Sequence, residues 1–203
     1  MIRSFRDKAL ERFFETGNGR RLSVRNTKRI ANILRALDDA SQPEDMNLPG
    51  FRFYALTGRD KGRYAVNASG NWRVTFGWTE GDATDVDLED YRRLSLRTGS
   101  MTRKLPKRGL PPMHPGELLR EEILPALDRP KTEIARLLGV SRQTLYDILE
   151  EKQPVTPVMA LRLGKLCGNG PDLWLNLQKR YDLQRAEQEL GDAIKAIPTL
   201  EVA

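Results

Sequence analysis

The 203-residue sequence has one cysteine, one histidine and no long apolar run. A lone cysteine, Cys167, excludes an internal disulfide framework and fits a reducing cytoplasm; we assign it to the core. The lone histidine, His114, has no partner at metal-ligand spacing, and its place before Pro115 favours a structural role at a helix start. Nothing approaches the about 18–20 apolar residues of a membrane span, and MIRSFRDKAL lacks the apolar core of a signal peptide. We expect a cytoplasmic protein without cofactor, metal or membrane contact.

Positive charge is concentrated near the amino terminus. The net charge is +6, and residues 1–65 alone hold 14 Lys and Arg against 8 Asp and Glu. Polyanions such as RNA are natural partners for a basic surface. A solvated basic surface without a partner explains the same numbers, so composition leaves both interpretations open.

The chain divides into two parts of different fold class. Helix patterns over residues 4–15 and 20–38 precede four strand patterns, FRFYAL, RYAVNA, WRVTFGW and TDVDLEDY. The third strand alternates apolar and polar residues, as in a sheet covered on one face. A stretch rich in Arg, Lys, Ser, Gly and Pro follows, and then five helix patterns. We predict an α+β domain over 1–92, a linker over 93–112 and an all-α domain over 113–203.

The segment KTEIARLLGVSRQTLYDILEEK follows the helix-turn-helix template. Gly139 permits the left-handed turn between the helices, and Ala135 is small where they cross. The first turn of the second helix carries the predicted DNA contacts, Ser141, Arg142, Gln143 and Thr144. An ordinary pair of helices with the same apolar spacing is the disfavoured alternative.

The wider motifs MHPGELLREEIL, TPVMALRLGKLC and WLNLQKRYDL resemble the HigA family of antitoxins. These repressors have a lambda-repressor-like fold. The resemblance implies a homodimer on a palindromic operator, with one recognition helix for each half-site. Asp147 departs from the family pattern, in which this DNA-contact position is often basic or polar. A carboxylate there repels phosphate.

Cations of the first domain fall on a predicted helix face, in a loop and on a strand. Asp90 and Tyr91 end the last strand. Such a set can bind RNA or cleave it, since cleavage needs a base, a cation for the charged phosphorane and a proton donor. Surface ion pairs and a packing tyrosine are the alternative. The cations are Arg21 and Arg25 on the helix, with Lys28, Arg29 and Arg35; Arg59, Lys61 and Arg63 in the loop; and Arg73 on the strand.

The motifs LTGRDKGRYAV, GNWRVTFGW and VDLEDY resemble the HigB branch of RelE-type toxins. The resemblance implies a RelE-like fold and a ribosome-dependent mRNA interferase that leaves 2′,3′-cyclic phosphate ends. Ribosome and mRNA are then the partners. Arg73 carries over as the stabiliser of the phosphate or transition state, and Asp90 and Tyr91 as the terminal functional pair.

Two positions depart from that family. Arg92 replaces the histidine of the usual DYH ending, and Asn67 replaces a strand arginine. Without an imidazole, Tyr91 or Asp90 has to move the proton, while Arg92, Arg73 and Lys61 supply positive charge.

The segment from Asp90 to Glu117 has the sequence of one protein's end followed by another's beginning. We interpret Met101 as the former first residue of the antitoxin, through which translation now continues. We interpret the chain as a toxin–antitoxin fusion whose halves contact each other within one chain or between neighbouring chains. Inhibition is expected from the bulk of the docked antitoxin. A DNA-binding regulator with an inactive toxin-like domain, and a general RNA-binding module, are the competing hypotheses.

Overall fold

A computed structural model describes residues 1–91 and 105–199, apart from the side chain of Arg59. Arg92, Met101 and most of the predicted linker therefore lie outside the described residues. The first half, residues 1–91, contains two helices and a four-stranded antiparallel sheet in the order β1-β2-β3-β4. Its elements are α1 (Lys8–Thr16), α2 (Thr27–Asp39), β1 (Tyr54–Ala55), β2 (Arg63–Ser69), β3 (Trp72–Thr79) and β4 (Asp82–Asp90).

The predicted helix over residues 4–15 begins late, because the residues before it belong to the sheet. Ile2 and Phe5 form parallel bridges to β4. Asp7 then caps α1, accepting hydrogen bonds from the backbone N–H groups of the next turn at 2.7 and 2.9 Å. The predicted start at residue 4 was wrong.

The predicted helix over residues 20–38 and the predicted strand FRFYAL are also shorter in the structure. A 3₁₀ turn at Gly19–Arg21 precedes α2, which starts after Asn26 accepts a hydrogen bond from the Arg29 N–H at 3.1 Å. In FRFYAL, the strand is confined to Tyr54–Ala55, although Phe51 and Leu56 also form backbone hydrogen bonds with β2. These shifts leave the predicted α+β class unchanged.

Helix α2 packs its apolar side against the apolar face of the sheet. Its residues Ile30, Ile33, Leu34 and Leu37 are fully buried in one cluster with strand residues such as Val74. Burial of each such side chain contributes about 1.5–3 kcal/mol. The opposite face of α2 carries the cations of the helix, Lys28, Arg29 and Arg35. The helix therefore lies between the core of the first half and the binding partner of these cations.

The second half, residues 105–199, is helical, as predicted. A π-helical turn at Leu119–Ile123 joins two of its short helices. Gly139 has φ 65° between the two helices of the predicted helix-turn-helix, which confirms the left-handed turn there. The helices are α3 (Pro115–Leu118), α4 (Leu124–Leu127), α5 (Lys131–Leu138), α6 (Arg142–Leu149), α7 (Pro157–Cys167) and α8 (Asp172–Lys195).

The end of the predicted linker is packed on α1. The Gly109 and Leu110 N–H groups donate to the Phe14 carbonyl oxygen at 3.0 and 3.1 Å. A Cβ at Gly109 would lie 1.6 Å from the Glu15 carbonyl oxygen, so only glycine fits. The chain is thus already attached to the first half before α3 begins.

His114 caps α3, which confirms its predicted structural role. Its Nδ1 accepts a hydrogen bond from the Gly116 N–H at 3.0 Å, and its ring packs edge-on against Tyr181 with centroids 4.9 Å apart. Burial lowers the pKa of His114 below its ordinary 6.5. The neutral ring is therefore the folded form.

Because this pKa is lower in the folded than in the unfolded chain, the stability that His114 contributes is complete above about pH 6.5 and is lost as pH falls toward the folded pKa. We expect His114→Asn, which replaces the capping Nδ1 by an amide oxygen that does not titrate, to lose less stability than the wild type on acidification. A tenfold lower proton affinity in the folded state corresponds to a difference of about 1.4 kcal/mol. Thermal unfolding followed by circular dichroism over a pH series measures it.

Packing lost with the imidazole is the same at every pH, so it cancels when the two pH slopes are compared. Ionisation of all other groups is common to both proteins. Equal slopes for wild type and variant would contradict the assignment.

Candidate functional sites

The face of the sheet opposite α2 holds a cluster around Arg73. Register pairs Arg73 of β3 with Glu89 of β4, so both side chains lie on this face. Arg73 Nη1 lies 3.1 Å from the Tyr54 hydroxyl, and Nη2 lies 3.4 Å from Glu89 Oε2. The Tyr91 ring faces the guanidinium at 5.2 Å. One cation thus has a phenol, a carboxylate and an aromatic ring around it.

The guanidinium of Arg73 retains capacity for a phosphate. Its side chain is 18% exposed, and Nη1 and Nη2 each use one N–H group for Tyr54 and Glu89. One N–H group on each nitrogen remains, the arrangement that binds phosphate oxygens in pairs. Burial lowers the pKa of Arg73, but Tyr54 and Glu89 together raise it above its ordinary value. A permanent cation with paired donors can stabilise a phosphorane.

Two tyrosines border this cation and remain accessible. Tyr91 is 67% exposed and Tyr54 is 41% exposed. Exposed aromatic rings next to a cation are platforms on which RNA bases stack. Tyr54 and Glu89 were missed from the sequence, although the alternation of β4 already put Glu89, rather than Asp90, on the Arg73 side.

The remaining predicted residues of this site are placed less closely. Asp90 lies opposite Trp72 in the register, so its side chain projects to the other face of the sheet, and the structure does not bring it to Arg73. Lys61 is exposed in the turn before β2. Arg92 and the Arg59 side chain lie outside the described part of the chain.

Arg63 was predicted to lie in an RNA-binding loop, and this placement was wrong. Arg63 is the first residue of β2 and is 9% exposed. Its Nη2 donates to Thr75 Oγ1 at 3.1 Å and to the Asp85 carbonyl oxygen at 2.8 Å. Burial lowers its pKa. The guanidinium therefore fills the polar side of the sheet instead of facing solvent.

The basic face of α2 is mostly bound by the second half. Arg29 forms an ion pair with Glu122, which also accepts from Asn32 Nδ2 at 2.8 Å. Arg35 Nη2 lies 2.8 Å from Glu117 Oε1. At the exposed rim, Lys28 lies 2.9 Å from Glu121. Three of the five cations on this helix and its approach therefore meet carboxylates, while Arg21 and Arg25 stay exposed.

The carboxyl end of α2 forms a second contact between the halves. Asp38 is bound by Arg108, and by Arg180 of α8 at 3.1 Å. Asp39 Oδ1 lies 2.7 Å from Arg180 Nε. Burial, and next the neighbouring Asp38, raise the pKa of Asp39 to about 7, while Arg108 opposes the shift. The two carboxylates crowd each other, and cations of the second half keep them together.

The helix-turn-helix presents its predicted DNA contacts to solvent. Ser141 Oγ accepts a hydrogen bond from the Thr144 N–H at 3.0 Å and so caps α6. Arg142 and Gln143 are exposed, and Gln143 Nε2 donates to Asp147 Oδ1 at 2.8 Å. The structure brings the four predicted residues together on one turn. The Gln143 amide is therefore hydrogen-bonded to Asp147 within the same helix.

The helices described for residues 1–91 and 105–199 include none long and apolar enough to cross a membrane. Over the same ranges, no three His, Cys, Asp or Glu side chains are grouped so as to hold a metal ion.

The geometry defines a class: a small α+β body with an arginine-centred face, joined to a helix-turn-helix domain. The model of the HigB-like toxin family, described as the RelE-like toxin of the type II toxin–antitoxin system HigB, matches residues 3–91. The endoribonuclease HigB of Proteus vulgaris is 33% identical over 45% of this chain and 99% of its own length.

Virulence-associated protein I of Dichelobacter nodosus is 40% identical over 41% of this chain and 77% of its own length. The structure of Pseudomonas aeruginosa antitoxin HigA with the higBA promoter is 38% identical over 44% of this chain and 99% of that chain, with a TM-score of 0.42. The chain belongs to the HigB-like toxin family through its first half.

Because Arg63 is buried, its substitution distinguishes a structural role of this side chain from a role in RNA binding. We expect Arg63→Met to lower the free energy of unfolding by on the order of 3 kcal/mol, because Thr75 Oγ1 and the Asp85 carbonyl lose a buried donor. Urea unfolding of the full chain measures it. Lys61→Met removes one cation from an exposed turn and is the matched control, for which we expect less than about 0.5 kcal/mol. A stable Arg63→Met protein with weakened RNA binding would contradict this structural role and would favour the predicted role of Arg63 in RNA binding.

Proposed function

We propose that this chain is a self-neutralised toxin–antitoxin fusion. Its first half is a ribosome-dependent endoribonuclease for mRNA, and its second half is the antitoxin, which binds operator DNA and represses transcription. The proposal keeps the predicted division into a toxin domain (1–92), a linker (93–112) and an antitoxin domain (113–203), working in the cytoplasm. One observation carries it: the cations of α2 in the HigB-like half are bound by carboxylates of the HigA-like half.

Neutralisation by bulk fits the placement of the two surfaces. The second half docks on α2, which covers the apolar face of the sheet, whereas Arg73 lies on the other face. The described hydrogen bonds of Arg73 are made within the first half, and Tyr91 stays exposed. The antitoxin therefore leaves the candidate site open and acts by keeping the toxin out of the decoding site of the ribosome.

The tether makes docking hard to escape. Residues 92–104 connect the two described parts, and a short tether holds partners at about millimolar effective concentration. The halves separate only when the dissociation constant of docking rises above this effective concentration. Two partly buried charge pairs, Arg29–Glu122 and Arg35–Glu117, provide that leverage, because breaking a fully buried pair costs about 3–5 kcal/mol, which is the upper limit for each of them.

We call the full chain with Glu117→Arg and Glu122→Arg the released chain, since both substitutions place a cation against a cation of α2. We expect it to cut messages in a translating extract and leave 2′,3′-cyclic phosphate ends, while the unmodified chain cuts few. Adding Arg73→Ala to the released chain should lower cutting by about 10²–10³-fold, the effect of losing a transition-state donor. Primer extension maps the cuts.

Glu121→Arg is the matched control, because Glu121 pairs with Lys28 at the solvent-exposed rim; we expect it to stay neutralised. Operator binding shows that the second half of the released chain is folded, and the β-sheet signal in circular dichroism shows that the first half is folded. If the released chain binds DNA but cuts nothing, the enzyme assignment fails. The chain would then be a DNA-binding regulator that carries an inactive toxin-like domain.

For the second half we propose a homodimer on an inverted repeat, with Ser141 and Thr144 holding phosphate and Arg142 and Gln143 reading bases. Arg142→Ala should weaken operator binding by about 1–3 kcal/mol. Asp147→Ala should strengthen it, since the change frees the Gln143 amide and removes a negative charge near phosphate.

Fluorescence anisotropy measures both affinities on a duplex from the region before the chain's own coding sequence, at two salt concentrations. Lys195→Ala, at the far end of α8, removes one cation outside the proposed surface and is the control for Arg142→Ala. Unchanged binding by Arg142→Ala would exclude α6 as the recognition helix.

A further inference from the structure

The Arg73 cluster has two groups of opposite proton-transfer character that the sequence motifs did not point to. Tyr54 hydrogen-bonds Nη1 of the guanidinium, and Glu89 contacts Nη2. They therefore flank the cation on its two sides. Both come from the same face of the sheet, because β1 pairs Tyr54 with Ala65 and β3 pairs Arg73 with Glu89.

A carboxylate can accept a proton and a phenol can donate one, so the two flanking groups differ in the way that RNA cleavage requires. Asp90 does not share this face, and Tyr91 contacts Arg73 through its ring rather than through a described hydrogen bond. Asn67, the residue opposite Arg73 on β2, is an amide and carries no proton-transfer group.

We propose that Glu89 and Tyr54 are the general base and the general acid of this site, with Arg73 between them; this rests on the proposed nuclease function. Glu89 takes the proton of the RNA 2′-hydroxyl as the 2′-oxygen bonds to phosphorus. The bond from phosphorus to the 5′-oxygen breaks, and the Tyr54 hydroxyl gives its proton to that oxygen. The products are a 2′,3′-cyclic phosphate and a 5′-hydroxyl, and water returns the proton from Glu89 to the Tyr54 phenolate.

The arrangement assigns a further role to the guanidinium. The remaining N–H group on each of Nη1 and Nη2 faces the phosphorane, and the bonded N–H groups hold the Tyr54 oxygen and the Glu89 carboxylate. The phenolate that forms when Tyr54 gives up its proton is stabilised by the same cation. Tyr91 is then left to stack on Arg73 and on an RNA base.

The test uses the released full chain and purified ribosomes carrying a message with a single modified linkage at the mapped cut. In one message the leaving atom is the natural 5′-oxygen, and in the other it is sulfur, which departs without a proton. With the oxygen linkage, we expect Tyr54→Phe and Glu89→Gln each to slow single-turnover cleavage by about 10²–10⁴-fold. With the sulfur linkage, Tyr54→Phe should cut within about tenfold of its parent, whereas Glu89→Gln should remain slow.

Rescue by sulfur separates proton donation from a merely structural role, because a misplaced Arg73 would slow both linkages equally. Glu80→Gln and Tyr146→Phe, an exposed turn residue and an exposed residue of α6, are the matched controls and should behave as the parent. Tyr91→Phe keeps the stacking ring but removes its hydroxyl, so it tests whether that hydroxyl is the acid instead.

The outcomes are distinct. A folded released chain that cuts neither linkage removes the proposed nuclease function, and this assignment with it. A parent that cuts while Glu89→Gln or Tyr54→Phe cuts equally well overturns only the acid–base pair. Rescue of Tyr91→Phe in place of Tyr54→Phe would transfer the acid to Tyr91 and also overturn the assignment.

Discussion

The docking of the two halves depends on charges that α2 cannot leave unpaired. Arg29 and Arg35 lie between an apolar core and the helices of the second half, where water no longer solvates them fully. Buried ion pairs add little net stability, but loss of one partner leaves a buried charge. Glu117 and Glu122 therefore add little affinity themselves. A partner without these carboxylates would leave Arg29 and Arg35 unpaired and would bind α2 less well. Such a penalty gives the contact its specificity.

The aspartates at the end of α2 bring together two distant parts of the second half. Arg108 belongs to the segment packed on α1, and Arg180 belongs to α8, yet both bind Asp38. Asn176 of α8 also donates to the Asp39 carbonyl oxygen at 2.9 Å. Because one acidic site orders both segments, the path from linker to α3 and the position of α8 are fixed together. The Gly109 contact with α1 continues the same attachment.

Much of the architecture could be predicted from periodicity, and what failed depended on contacts between distant residues. The alternation of β3 and the turn at Gly139 are local properties, so the sheet and the helix-turn-helix were found. Phe5 looks helical in isolation, and only its bridge to β4 reveals otherwise. A basic helix face shows that cations avoid the core, but it does not show whether RNA or another protein half binds them. Glu89 was missed for a similar reason, since its pairing with Arg73 depends on strand register.

The Arg73 cluster, the contact between the two halves and the first turn of α6 lie on three separate surfaces. Arg73 lies on one face of the sheet, the antitoxin contact on α2 lies beyond the other, and the first turn of α6 remains exposed to solvent. The described contacts between the halves involve neither the arginine-centred cluster nor the DNA-contact turn. In the proposed function, repression and neutralisation then do not compete for any residue. In that proposal, the controlling quantity is the free energy of docking on α2, because docking on this helix is what keeps the toxin half out of the ribosome.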